Sequence, residues 1–229
     1  SPQFITSSVH TWEPFFEQTV NEHRNWHLPE ELRDLIDWEI SPVPIERYIK
    51  LQPVTIQKPL LPKEKESRIE HHQRANLKLA DILSNRLIVI LGSAGSGKST
   101  CLRYLCHDYS FRALQEINQN PSSRDIHLPV LISLKHFGSV NLLSLIHGYL
   151  RRRGMHINWN DLENWLGSYP VTFLLDGYDE VNVGWRNDLT NQILWLRDIY
   201  PGSSIIVTSR KQTTHPLIDG FTEYEVQDL

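Results

Sequence analysis

The chain has 229 residues, 40% hydrophobic and 22% charged, enough to bury one substantial core with a smaller appendage. Its 23 Lys+Arg against 27 Asp+Glu leave a formal net charge of -4, so it has no global attraction for a nucleic-acid backbone or an anionic membrane. No apolar run approaches the roughly 20 residues that span a bilayer, and the N-terminus SPQFITSSVH lacks a basic stretch followed by an apolar one, which argues against membrane insertion and export.

The first residue is not Met and the one Met is Met155, so a processed or excised piece of a longer chain is expected. Cys101 and Cys106 lie five residues apart on what should be one helix. They fit neither a disulfide framework nor zinc-ligand spacing, and reduced thiols in a cytoplasmic protein are the simpler reading.

In chain order, residues 12–40 mix aromatic and acidic residues at loosely helical spacing, with Pro29 suited to a helix start, so one or two helices are predicted there. Prolines then crowd at Pro42, Pro44, Pro53, Pro59 and Pro62, which forbids long helices and favours an extended crossing. Helical spacing returns with Ile69, Leu77, Leu79, Ile82 and Leu83. The chain thus divides into an N-terminal helical segment (1–45), a proline-rich linker or wrapping arm (46–76) and a core (77–229).

From Arg86 onward, short apolar strands alternate with helices. Strands are predicted at residues 87–91, 128–134, 171–175, 204–209 and, more weakly, 223–226; helices after Lys98 and around 142–152, 159–166 and 186–199. Continuous apolar strands separated by amphipathic helices indicate an α/β fold, a doubly wound, mostly parallel five-stranded sheet with helices on both faces. Its ligand belongs at the carboxyl ends of the strands.

Three stretches carry chemistry. Gly92-Ser93-Ala94-Gly95-Ser96-Gly97-Lys98-Ser99 fits G-x-x-x-x-G-K-[ST] between a strand and a helix, the context in which the pattern makes a phosphate cradle. Glycines let the backbone approach the phosphates, successive N–H groups form an anion nest, and the helix points its positive end into it. Lys98 is expected at the β- and γ-phosphates, the Ser99 hydroxyl on Mg²⁺, and Thr100 near the α-phosphate. In VTFLLDGYDEV the strand ends on Asp176, which delivers a carboxylate to the metal, and Asp179 and Glu180 follow as two candidates to orient or deprotonate water. Either acid could instead be a solvated loop residue or a helix cap. In SIIVTSRK, Arg210 is the candidate γ-phosphate sensor, with the alternative that it pairs with Asp176, Asp179 or Glu180 and only holds the loops.

Together these stretches resemble the NACHT family within the STAND class of P-loop NTPases. The discriminating piece is LLDGYDE, where small Gly177 follows Asp176 and the acidic pair Asp179 and Glu180 comes next. The resemblance covers about residues 77–229; ERYIKLQP upstream also looks like the lead-in of bacterial members, and the first 45 or so residues are not covered. It implies a Mg²⁺-dependent ATP/ADP switch that oligomerises with copies of itself and works with effector and sensor domains. It also implies a helical lid and a winged-helix domain, which the chain ends too early to include, so weak affinity and slow turnover are expected. The alternative is a nucleotide-binding assembly or scaffold module with little hydrolysis that recruits an effector. A kinase or helicase is a weaker third reading, since neither an acceptor site nor helicase-type motifs are found.

No N-K-x-D arrangement selects guanine, and ATP is the expected nucleotide. The run Arg151-Arg152-Arg153 reads better as a decorated helix C-terminus than as a nucleic-acid patch, and His71-His72 as a solvated helix face. The seven tryptophans read as core or interface anchors.

Overall fold

A computed structural model of the chain describes residues 12–24, 51–53, 84–120, 126–211 and 218–226. The predicted helical stretches at 25–40 and 64–83 lie outside the described residues. The elements run in the order α1 (Glu13–Arg24), β1 (Leu51–Pro53), β2 (Leu87–Leu91), α2 (Lys98–Gln119), β3 (Leu128–Ser133), α3 (Leu142–Arg152), α4 (Leu162–Ser168), β4 (Val171–Asp176), α5 (Val183–Ile199), β5 (Ser204–Ser209) and β6 (Thr222–Val226).

The strands form one sheet in the order β1-β6-β2-β5-β4-β3. All five predicted strands are present and mutually parallel, from β6 through β2, β5 and β4 to β3. A sixth, β1, pairs antiparallel with β6 at the edge. It falls in the segment expected to be a wrapping arm, and its last residue is Pro53, a residue that sheets tolerate at such an edge.

Alternation along the strands assigns two faces. Val89, Leu91, Val171, Phe173, Leu175, Ile205 and Val207 share a core with α3, α4 and α5. Ile88, Ile90, Leu174, Ile206, Tyr224 and Val226 share another with Cys101, Leu102, Leu105 and Cys106 of α2. Burial on both faces is what makes these strands continuously apolar rather than alternating. Both cysteines are buried, and neither forms a disulfide among the described residues.

Helix α1 is part of this packing. Its Trp12 ring lies 5.3 Å from Trp165 and 4.3 Å from Tyr169, and Phe15 lies 6.2 Å from Tyr149, centroid to centroid. Glu22 pairs with Arg153, whose guanidinium sits 3.8 Å over the Tyr149 ring. The arginine run is therefore split: Arg151 and Arg152 are exposed in the last turn of α3, while Arg153 is buried against α1.

Candidate functional site

Parallel register brings the informative strand ends to one edge. Leu91 of β2 is opposite Ser209 of β5, Leu175 of β4 is opposite Val207, and Ser133 of β3 is opposite Asp176. The loop after β2, the acid closing β4 and the arginine after β5 therefore emerge side by side. The crevice beyond the carboxyl ends is where open α/β sheets take ligands.

The loop 92–97 turns tightly because of its glycines. Gly95 and Gly97 have φ of 78° and 93°, in the left-handed region that side chains rarely adopt. A Cβ on Gly92 would stand 2.5 Å from Ser96 Oγ and 3.3 Å from Val226 Cβ, so a side chain there would displace the Ser96 hydroxyl. Helix α2 then starts with Gly97 as its N-cap, with no side-chain cap and no acidic residue in its first turn. With no side-chain cap at this end, the positive end of the helix dipole opens on the loop, a fit to an anionic ligand. Lys98 Nζ donates to Gly92 O at 2.8 Å, Ser93 O at 2.6 Å and Ser96 Oγ at 3.4 Å, which holds the ammonium over the loop.

Asp176 is the hub of the acidic side of the site. Its Oδ1 accepts from Ser99 Oγ at 3.0 Å and from Thr208 Oγ1 at 2.7 Å. Thr208 Oγ1 in turn accepts from Gly177 N at 2.9 Å, so one buried hydroxyl ties β5 to the turn leaving β4. Oδ2 accepts no hydrogen bond from a described residue. A hydroxyl beside a carboxylate with an open oxygen is a hard-oxygen donor set that suits Mg²⁺. Arg103, in the next turn of α2, lies close enough to feel the Asp176 charge, which opposes the downward push that partial burial gives its pKa.

The two later acids are separated by the backbone. Gly177, at φ 83°, opens a single 3-10 turn over Tyr178–Glu180. Asp179 turns toward β5: its Oδ1 accepts from Arg210 N at 2.9 Å and its Oδ2 pairs with Arg210 Nε at 3.0 Å. The Arg210 side chain is 50% exposed. Glu180 is exposed and makes no side-chain hydrogen bond or ion pair with a described residue; its carboxylate folds over Gly177, 3.1 Å from where a Cβ there would be.

Every site residue expected from the sequence thus reaches this edge. Two residues were missed in their roles: Thr208, which became visible only once β4 and β5 were adjacent, and Arg186, whose Nη2 and Nε donate to Asp179 O at 2.8 Å and Val181 O at 3.0 Å. No group of three or more His, Cys, Asp or Glu that could hold a metal occurs among the described residues. Nor is any helix among them long and apolar enough to cross a membrane.

The NACHT domain family matches residues 86–229, more than half of the chain. No curated protein matches. Among solved structures, the chain is similar to C. elegans PCH-2, at 18% identity and a TM-score of 0.36, over 61% of this chain and 35% of that one. The chain therefore spans about a third of that protein's structure.

Proposed function

The chain belongs to the NACHT family, which makes it a nucleotide-binding P-loop NTPase, and from that premise we propose that it binds and slowly hydrolyses ATP with Mg²⁺ as a molecular switch. The observation that supports this best is the meeting of an uncapped α2 with Ser99 and Thr208 on one oxygen of Asp176.

In this reading the backbone N–H groups of residues 92–100 hold the phosphates, and Lys98 exchanges loop carbonyls for β- and γ-phosphate oxygens. Ser99 and Asp176 would hold Mg²⁺, which when bound would supply charge neutralisation for the phosphates. Glu180 orients the attacking water and accepts its proton as oxygen bonds to the γ-phosphorus and the bond to the β–γ bridging oxygen breaks, leaving ADP and phosphate. Asp179 is occupied with Arg210, so it aims the half-exposed guanidinium that reads the γ-phosphate.

The parent role follows the family resemblance: an ADP-bound resting form, ATP-driven oligomerisation, and signalling of a defence type through effector and sensor domains in the cytoplasm. The segment 1–45 is proposed as an N-terminal module whose first helix docks on the core, 46–76 as the arm, and 77–229 as the nucleotide domain.

Glu180→Gln tests the assignment. The expected result is nucleotide affinity within about threefold of wild type with phosphate release lowered roughly 10²–10⁴-fold. Full turnover in Glu180→Gln refutes the water-orienting role; a wild type that binds but releases no phosphate favours an assembly module instead.

A further inference from the structure

The acidic turn that presents Glu180 is short, and short 3-10 turns are held by poor hydrogen bonds. Within it Glu180 N donates to Gly177 O at 3.0 Å and Val181 N to Tyr178 O at 3.2 Å. Two such bonds do not by themselves fix the direction of an exposed carboxylate. The rest of the restraint comes from the start of α5.

Arg186 lies in the first turn of α5 and is half-buried. Among the described residues its charge is matched to no carboxylate. Instead its planar fork spans two backbone carbonyls, Asp179 O through Nη2 and Val181 O through Nε, and so brackets Glu180. Tyr178, one residue after Gly177, is gripped by the same helix: its hydroxyl shares a 2.8 Å hydrogen bond with Thr190 Oγ1 and donates to Arg186 O at 3.2 Å. The other acid of the turn, Asp179, is drawn toward β5 by Arg210. The turn is thus held from the α5 side through two of its carbonyls and the Tyr178 hydroxyl, and from the β5 side through the Asp179 carboxylate.

We infer that Arg186 is a positioning residue for hydrolysis, acting through Glu180 by holding the carbonyls of Asp179 and Val181. The inference rests on the proposed water-orienting role of Glu180. The side-chain hydrogen bonds of Arg186 go to the acidic turn and, among the described residues, none go to residues 92–100 or Asp176, so nucleotide binding is expected not to depend on it. A lysine can reach one carbonyl as a point donor but cannot span both as a rigid fork.

The test compares Arg186→Met and Arg186→Lys, alone and in the Glu180→Gln background, by ATP and ADP titration, phosphate release, thermal unfolding and hydrogen exchange of the amides at 178–182. The expected result for Arg186→Met is kcat lowered roughly 10–100-fold, since misplacement of about 1 Å costs that much, with KM and nucleotide Kd within about twofold. The Glu180 and Val181 amides exchange faster, Arg186→Lys recovers part of the rate, and in Glu180→Gln the same substitution changes residual turnover less than twofold. Wild-type turnover in Arg186→Met, or an equal further loss in Glu180→Gln, overturns the role of Arg186 while leaving hydrolysis intact. Absence of turnover in the wild type overturns the hydrolase reading on which it rests.

Discussion

Thr208→Val isolates the hydroxyl that ties Asp176 to Gly177. Thr208 is 1% exposed and its Oγ1 both donates to Asp176 Oδ1 at 2.7 Å and accepts from Gly177 N at 2.9 Å. Valine fills almost the same space and removes both bonds. A hydrogen bond to a charged group contributes about 1.5–3 kcal/mol, and an orphaned buried N–H costs about 1–3 kcal/mol. The two losses share one atom and do not add fully, so about 2–4 kcal/mol is expected. For a domain of this size that lowers Tm by roughly 5–15 °C. Urea unfolding followed by fluorescence of the seven tryptophans reads the free energy directly. Thr208→Ser keeps both bonds and loses one methyl, so it should cost only about 1 kcal/mol. Should Thr208→Val fall within about 0.5 kcal/mol of wild type, the hydroxyl is not holding Asp176 and Gly177 together, and the site geometry argued from it fails.

Three further outcomes follow from other parts of the molecule. Gly177→Ala places a Cβ at φ 83° and 3.1 Å from Glu180 Cδ, so it should cost about 1–2 kcal/mol in denaturation and reduce phosphate release by more than that alone explains. Phe15→Ala, outside the family-matched region, should still destabilise the nucleotide domain by about 3–5 kcal/mol, because the ring is 1% exposed in the shared core; a cost below 1 kcal/mol in calorimetry would mean α1 is merely adjacent. Burial pushes the Cys106 thiol from 9.0 up to about 11, opposed by its Tyr149 hydrogen bond. Below pH 9 both folded and unfolded chains keep that proton; above it the unfolded chain releases it first, so stability falls between pH 9 and 11 by up to about 1.4 kcal/mol per pH unit from this group. The same fall persisting undiminished in Cys106→Ala would refute the assignment.

The parallel sheet was legible because its strands are buried on both faces and so read as unbroken apolar runs. The phosphate loop was legible because its demands are local: positive φ at Gly95 and Gly97, a close approach at Gly92, and a lysine directly after them. Strand β1 was not, since three residues ending in proline carry no periodicity and acquire meaning only beside β6. Spacing could not tell Asp179 from Glu180, because the difference arises from the turn at Gly177 and from β5 lying next to β4, which gives Asp179 the arginine and leaves Glu180 exposed. Arg186 had no sequence signature, as its partners are backbone carbonyls, which every residue possesses. Arg153 looked like its two neighbours until α1 supplied Glu22.

The central claim is that residues 92–100 form a working phosphate cradle closed by Lys98. Calorimetric titration of the chain with ADP and ATP in Mg²⁺, beside Lys98→Ala, addresses it most directly, with phosphate release followed on the same samples. Lys98 already crosses the loop to the carbonyls of Gly92 and Ser93, so its removal takes away the cation positioned for the β- and γ-phosphates. The account predicts binding of both nucleotides by the wild type and a loss of roughly 30-fold or more in Lys98→Ala, the equivalent of a charged hydrogen bond of about 2 kcal/mol. Equal binding by the two proteins, or none by the wild type, would contradict it.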